Sequence, residues 1–521
     1  MDSKKKSNLL SDFQIKDFIK ELEHSESKRR FKKSKVRTFT VNTKECRGEA
    51  EIIRLIIEEK NWRETLYGKS NLAWFGLALT EEELLNASNQ LCNRIPCLEV
   101  ISRKRITGEL LKIAFKYFEE EFLIFPPTYL LPEDTSALVH EMKASNMFIV
   151  KPTQGCQGDG IFLAQTWSDL EKASVYWGDF VVQKYIHPPM LLYQKKFDLR
   201  IYALVTNVEP LCLFLNQEGL ARFCTQDYKK PTKSNIRNHY IHLTNYSLNK
   251  TSGNFVHTDE LFEPNEGSKQ TLTSVFEAIK QAGYNVQEIK TQINQAIAKT
   301  FAAVQPVLSN LYRNCLRQHK IKQMKCFQII GVDVMLDKKG KAWVIELNAN
   351  PSLRTDYEEE VSPGITRSYP SVLDYHVKSQ VITDAIEIAR MPTEAQLATL
   401  QYGSYDKISL EDYCEPETLL FFEKCKKVFE GFAGPRDLTV VSKSRFRRMG
   451  RVLCDKKVPG LVMADFDIIY GKVARKFDIS NLDFVAFISA LEEIIKKSYG
   501  TENLHSKTLK VFKLLERNIK N

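Results

Sequence analysis

Apolar and polar positions alternate with two different periods along this chain, and the changes of period mark out its elements. The sharpest stretch is CFQIIGVDVMLDKKGKAWVIELNANPSL, residues 326–353. Two apolar runs, Phe327 to Leu336 and Ala342 to Leu347, flank the turn-forming Asp337-Lys338-Lys339-Gly340 and predict a β-hairpin. A period of two puts Asp333 on one face with Met335. On the second strand Glu346 and Asn348 share a face, while Trp343, Ile345 and Leu347 take the other. Paired in register, Asp333, Glu346 and the amide carbonyl of Asn348 converge on an oxygen-rich point, which suits Mg²⁺ better than zinc or copper. The plain alternative is that both acids are solvated strand residues, since buried carboxylates need a partner.

The rest of the chain follows the same two periods. RTFTVNTK (37–44) predicts an edge strand, and EAEIIRLIIEEKNW (49–62) has the i, i+3/i+4 spacing of an amphipathic helix. ISRKRITGELLKIAFKYF (101–118) brings Lys104 to a helix entrance, and Phe125-Pro126-Pro127 breaks that helix. In MFIVKPTQGCQGDGIFLA (147–164) a buried-type strand ends at Lys151, a loop with three glycines follows, and an apolar strand returns. Glycines let backbone N–H groups approach an anion, and Lys151 adds a point charge. The pattern is neither a Walker A loop nor a dinucleotide turn, because a strand and not a helix follows. DFVVQKYI (179–186) predicts a strand whose end offers an adenine-binding edge. KKFDLRIYALVTN (195–207) alternates Lys196, Asp198 and Arg200 with apolar neighbours, a costly face for a central strand unless it lines a site.

Size, charge and cysteine change the picture only at the edges. A chain of 521 residues with 43% hydrophobic residues can bury a large core, as one multi-lobed domain with an appendage. No apolar run is long enough to cross a bilayer, and the N-terminus is no secretory signal. The 11 cysteines are odd in number and include no CxxC pair, which predicts reduced thiols in the cytosol. A net charge of +10 suits a polyanionic partner. Residues 1–35 are polar and end in a dense basic run, either a solvated tail or a nuclear-import or anion-docking segment. Residues 393–418 predict a linker, 419–500 a mainly helical module and 501–521 a helical tail. DFD at 465–467 suggests an EF-hand loop, but its sixth and twelfth positions are Tyr470 and Lys476, so no calcium is expected there.

Six motifs, KPTQGCQGDGIF, QKYI, KFDLRIY, EGLARF, HLTNYS and ELNANPS, resemble in this order the tubulin-tyrosine-ligase-like family. The resemblance implies an α/β (α+β) ATP-grasp catalytic domain over residues 36–392. GCQGDGI and NANPSLR look most similar to the family's polyglutamylases. What the resemblance implies is ATP held by Lys104 and Lys151, with Gln157 and Gly158 in a flap that also meets substrate. Gln183, Lys184, Tyr185 and Ile186 would line adenine; Lys196, Phe197 and Asp198 would flank the nucleotide, and Thr244 and Asn245 would touch phosphate. Arg222, Ser247 and Lys269 match glutamate-binding positions, Asp333, Glu346 and Asn348 match magnesium ligands, and Arg200 and Glu346 would act in catalysis. Two departures stand out: Ala349 replaces a family histidine after the metal-binding asparagine, and no downstream lysine matches a further glutamate contact.

The implied reaction is ATP- and Mg²⁺-dependent ligation of free L-glutamate to acidic tubulin tails through an acyl phosphate, with chain elongation favoured. The implied partners are tubulin and microtubules, with no nucleic acid and no membrane. The implied location is the cytoplasm and cytoskeleton, including the axoneme or basal body of a cilium or flagellum. A catalytically silent microtubule binder, or a ligase for glycine or for another acidic protein, is the alternative. The run from Phe429 to Ile494 resembles the p25-alpha domain of tubulin-polymerisation-promoting proteins. Its Arg445, Arg447, Arg448 and Arg451 form a cationic cluster expected to tether the enzyme to an acidic lattice.

Overall fold

In the computed structural model the predicted hairpin closes one side of a central sheet. The structure describes residues 38–76, 79–144, 146–153, 158–171, 179–362, 365–391, 403–434 and 437–519, with Glu360 by its backbone only. The basic tail (1–35), Gln157 and the first part of the expected linker lie outside the described residues.

Near the N-terminus β1 (Thr40–Asn42), α1 (Ala50–Glu59), β2 (Arg63–Thr65), β3 (Leu72–Ala73) and β4 (Leu91–Cys92) build a parallel sheet in the order β2-β1-β3-β4. β1 is thus paired on both sides and is not the edge strand its polar flanks suggested. After α2 (Glu81–Asn86) and a 3-10 turn at Leu98–Ser102, α3 (Lys104–Tyr117) begins at the lysine expected there. A second sheet, antiparallel, contains β5 (Thr128–Leu130), β6 (Phe148–Pro152), β7 (Phe162–Ala164) and β8 (Phe180–Lys184) in the order β5-β8-β6-β7. Its small core joins Phe148, Val150, Phe180 and Val182 to Leu138 of α4 (Thr135–Met142).

The central sheet holds β9 (Leu191–Leu192), β10 (Lys195–Val208), β11 (Leu211–Phe223), β12 (Lys269–Thr271), β13 (Gln328–Leu336) and β14 (Ala342–Asn348), all antiparallel. Between its strands run α5 (His239–His242), α6 (Tyr246–Asn249), α7 (Leu272–Gln281) and α8 (Val286–Gln318). Strand alternation is decisive here. Leu199, Ile201 and Val205 of β10 and Val332 and Val334 of β13 share a core with Ile297, Phe301 and Leu308 of α8. On the opposite face, Tyr202, Leu204 and Ile329 pack with α1 and with α9 (Val372–Ala389). That opposite face is apolar at one end and carries Asp198, Arg200 and Asp333 at the other. A hairpin of β15 (Asp356–Ser362) and β16 (Ile365–Pro370) precedes α9. β17 (Tyr405–Ile408) then pairs with β11 along Leu213–Asn216. The stretch expected as a linker over 393–418 therefore contributes a strand to the catalytic sheet.

The C-terminal module contains α10 (Pro416–Phe432), α11 (Lys443–Asp455), α12 (Met463–Phe477), α13 (Phe484–Tyr499) and α14 (Leu504–Glu516). The loops before α11 and before α13 exchange hydrogen bonds between Val441 and Leu482, at 2.7 and 3.0 Å. Asp465 sits in the first turn of α12, accepting from the Val462 N–H at 2.9 Å and pairing with Lys497 at 2.7 Å, so the DFD acids serve a helix and not a loop. Val511, Phe512 and Leu515 of α14 are buried, which makes the expected tail part of the module. Arg445 and Arg448 donate to the Ala433 and Gly431 carbonyls at 3.0 and 2.9 Å, and Arg447 lies 3.7 Å from Asp467. Parts of the expected docking cluster thus also bind the module itself, while Arg447, Arg448 and Arg451 remain exposed.

The module is seated on the catalytic part. Phe421 packs against Tyr117 of α3 and the following Phe118 with ring centroids 4.4 and 5.4 Å apart, and Arg313 of α8 pairs with Glu430 at 2.8 Å. Phe421 is fully buried, so Phe421→Ala should cost about 3–5 kcal/mol. The five tryptophans all precede residue 344 and report on the catalytic part. In urea, their fluorescence midpoint should fall together with the far-UV circular dichroism midpoint. An unchanged fluorescence midpoint would mean that the two parts unfold separately.

Candidate active site

Neighbouring strands of the central sheet set a row of charged residues side by side. Lys269 of β12 is the register partner of Arg222 on β11, and Arg222 that of Asp198 on β10. One step along β10, Arg200 faces Asp333 of β13, which faces Glu346 of β14. Arg222 Nε donates to Asp198 Oδ1 at 2.9 Å, and its Nη2 reaches Asp333 Oδ2 at 2.7 Å. Arg200 grips Asp333 through Nε at 2.5 Å and Nη2 at 3.1 Å. Two buried carboxylates and two half-buried guanidiniums thus neutralise one another. Burial would raise the Asp333 pKa, but Arg200 and Arg222 outweigh it and hold the group at about 2.

The hairpin geometry corrects one expectation. A bulge at Ile345 separates the pairs Asp333–Glu346 and Val334–Val344, so Trp343, opposite Met335, lies on the face of Glu346. Asp333, Glu346 and Asn348 do converge. The Asn348 amide Nδ2 is 3.4 Å from Asp333 Oδ2, and the Glu346 carboxylate makes no hydrogen bond or ion pair with the described residues. Turning the amide over presents its oxygen to the same point. This all-oxygen set, with one carboxylate unpaired, fits Mg²⁺.

Beside Glu346 a cleft of about 360 Å³, open to solvent, is lined by Ser102, Lys104, Thr107, Lys151 and Gln183. Lys151 Nζ donates to Gln183 Oε1 at 2.6 Å, and Gln183 in turn donates to Thr128 Oγ1 at 3.1 Å. Burial pulls the Lys151 amine down to about 8, with Glu346 opposing and Lys104 assisting. Lys196, also lowered to about 8 by burial, donates to the Tyr185 hydroxyl at 2.9 Å and to the His242 carbonyl at 2.8 Å. Its Nζ lies 4.2 Å from the Tyr185 ring centroid. His242 was not singled out in the sequence; its carbonyl acts through the backbone, which leaves no residue-type signal. Phe197 falls on the other face of β10, stacked on Phe223 with centroids 5.2 Å apart, so its side chain is core. Lys184 is exposed beyond the cleft and Ile186 half-buried. Gly158, at φ +88°, lies against Asn245, where a Cβ would come within 2.9 Å of Asn245 Cγ. The described end of the glycine loop therefore rests on the turn that carries Thr244, Asn245 and Ser247.

The expected amino-acid subsite gains a residue. Lys269 pairs with Asp374 of α9 and lies 4.7 Å from the Tyr246 ring centroid. Asp374 also pairs with Lys378 at 2.9 Å, and Lys378 donates to the Arg354 carbonyl at 2.5 Å. Burial would raise the Asp374 carboxyl, but the two ammonium groups hold it well below the usual carboxylate range. Lys378 was not singled out in the sequence; its signal was the i, i+4 spacing from Asp374 within a helix. Ala349 is 2% exposed, its N–H bound to Ser102 Oγ at 2.6 Å and its carbonyl to Gln328 Nε2 at 2.6 Å. A histidine side chain has no room there.

Gly331 decides where Arg200 lies. A Cβ on it would stand 2.9 Å from Arg200 Cδ, 3.0 Å from Arg200 Nε and 3.1 Å from Pro351 Cβ. Gly331→Ala should displace the guanidinium from Asp333 and cut turnover by about 100-fold, the scale of an ångström's misplacement at a reacting centre. Nucleotide affinity should change little. Steady-state kinetics alongside a nucleotide-binding titration check both halves.

The Tubulin-tyrosine ligase family profile matches residues 82–396, and that of the Tubulin polyglutamylase TTLL11 EF-hand matches residues 412–521. The chain is 28% identical to human Tubulin polyglutamylase TTLL11, over 92% of its own length and 74% of the relative's. To mouse TTLL11 it is 32% identical over 68% of the chain and 49% of the relative, and to mouse Tubulin polyglutamylase TTLL6 33% over 69% and 41%. The chain thus spans about half or less of the length of these two mouse relatives. With the strand-borne charges in place and more than half of its length matched, this chain belongs to the tubulin-tyrosine ligase family, whose ligases are ATP-dependent, and ends in a helical EF-hand domain.

Proposed function

We propose that the protein is an ATP-dependent tubulin polyglutamylase that joins free L-glutamate to acidic tubulin tails. The observation that carries this reading is the adjacency of two charged subsites on one sheet. Lys269 and Arg222 on the sheet and Lys378 on α9 offer cations for an amino acid's carboxylates, with β10 between them and Asp333, Glu346 and the Lys151 cleft. The names of the relatives and the net charge of +10 support the choice of an acidic tubulin acceptor. Cytoskeletal microtubules, those of cilia included, are the proposed location of the substrate.

In this reading Lys151 and Lys196 bind nucleotide phosphate, with Tyr185 along the adenine edge. Mg²⁺, held by Asp333, Glu346 and Asn348, would neutralise charge on the transferred phosphoryl group. Arg200 turns from Asp333 toward that same charge. The acceptor carboxylate takes the γ-phosphoryl group and ADP leaves. Arg222 orients glutamate through its α-carboxylate, a bidentate pairing that leaves the amine free. The amine then attacks the acyl carbon, loses its proton and expels phosphate, forming the isopeptide bond. The seating of the helical module on α3 and α8 supports a bracing role for it in place of a tether.

Mass spectrometry of microtubules incubated with the protein, ATP and single amino acids should show increments of glutamate on tubulin tail peptides. Increments of glycine alone would replace the reading with a glycine ligase. Glu346→Gln keeps the volume and removes the charge, so turnover should fall by more than about 100-fold, the upper range for changing an outer partner of a metal ligand. Near-normal turnover would make Glu346 a plain strand residue.

ATP affinity should also depend on pH. Lys151 and Lys196 each titrate at about 8 in the free protein, and bound phosphates favour their charged forms. Below about pH 8 affinity should be flat; above it, affinity should fall toward about tenfold per pH unit for each lysine. Calorimetric titrations from neutral to alkaline pH test this, and Lys151→Arg should remove one lysine's share of the slope. A flat profile across the range would exclude both lysines from phosphate binding.

A further inference from the structure

Away from the candidate active site, three metal-ligating side chains meet from distant parts of the chain. Glu81 opens α2, Cys97 precedes the 3-10 turn at Leu98–Ser102, and Cys315 lies near the end of α8. One carboxylate oxygen and two sulfurs all lie within 4.8 Å of one another. The Cys315 thiol donates to Glu81 Oε1 at 2.7 Å, and the Cys97 thiol donates to the Leu311 carbonyl of the same helix at 3.8 Å. Cys97 holds a φ of +63°, a left-handed conformation that costs a residue with a Cβ and is kept where the surroundings aim its side chain. Glu81 and Cys97 line a cavity of about 790 Å³ including its mouth, whose other polar walls are Thr80, Arg94, Glu99, Gln328 and Asn350, while Cys315 lies behind them.

We propose that Glu81, Cys97 and Cys315 form a binding site for a soft divalent cation, Zn²⁺ in particular, distinct from the oxygen-lined magnesium site. The donor set discriminates: two thiolates disfavour Mg²⁺ and Ca²⁺ and suit Zn²⁺. Tetrahedral zinc, with Zn–S of about 2.3 Å and Zn–O of about 2.1 Å, needs donors about 3.5–3.8 Å apart. That spacing fits inside the observed envelope after small side-chain rotations. Three protein donors leave the fourth position facing the cavity, where water completes the shell. Binding exchanges two thiol protons for one cation. The Cys97 thiol, then burial and the Glu81 carboxylate push the Cys315 thiol above its ordinary pKa, so affinity rises with pH.

The location gives the site a consequence. Cys97 begins the segment that reaches Ser102, whose Oγ holds the Ala349 N–H, and Lys104 at the cleft. A cation joining Cys97 to Cys315 therefore braces this wall of the cleft against α8.

The test is a Co²⁺ titration of the reduced, chelator-treated full chain, followed by Zn²⁺. Thiolate ligation to cobalt produces a sulfur-to-metal charge-transfer band that Asp333, Glu346 and Asn348 cannot give. One Co²⁺ per chain should produce this band, and one Zn²⁺ should abolish it. Cys97→Ser should reduce the band and weaken affinity by at least about tenfold. Glu81→Gln, at an exposed position that tolerates change, should weaken affinity similarly while keeping the band. Absence of the band, or a band unchanged in both Cys97→Ser and Cys315→Ser, overturns the proposal. So does a Cys97–Cys315 disulfide found by non-reducing mass spectrometry in a protein whose reduced form gives no band; the pair would then be a redox couple.

Discussion

Four charges, the buried Asp198 and Asp333 and the half-buried Arg200 and Arg222, depend on one another across three strands, and the rest of the catalytic part depends on them. An unpaired ion in this interior would cost several kcal/mol, so each strand is acceptable only with its neighbour in place. The pairing also sets register. Sliding β13 by one residue along β10 would put Val332 or Val334 opposite Arg200 and turn Asp333 into the apolar core under α8. The quartet is therefore a specificity device as well as a store of charge that an anionic substrate can recruit.

Both faces of the central sheet are covered, and this explains where the site lies. α8 and α7 take one face, while α1 and α9 cover only the apolar end of the other. The charged end is left for the second sheet, whose β6 and β8 bring Lys151 and Gln183 over Glu346. Lys151, Lys196 and Lys269 are all drawn below their ordinary pKa by burial, the expected state of cations waiting for a polyanion. The helical module continues the α8 core through Phe421, so the appendage and the catalytic part share apolar surface. The Glu81, Cys97 and Cys315 trio lies at another seam of this packing, where α8 meets the segment leading to Lys104.

The local pattern of the chain determined a good deal by itself. Alternation placed the hairpin, the strand bearing Lys196, Asp198 and Arg200, and the helix that starts at Lys104, because strand and helix periods are properties of neighbouring residues. It also identified Asp333, Glu346 and Asn348 as a convergent set, since they lie within one hairpin. Tertiary structure decided the rest. The polar stretch before residue 419 supplies β17, and β1 is interior, because pairing depends on which edge is vacant and not on composition. The bulge at Ile345 moved Trp343 to the other face, and alternation alone cannot register an extra residue. The charge quartet joins residues 24 to 133 positions apart. Lys378 meets Lys269 only through an aspartate that both share. Burial turns these separate charges into partners, and burial is a property of the folded whole.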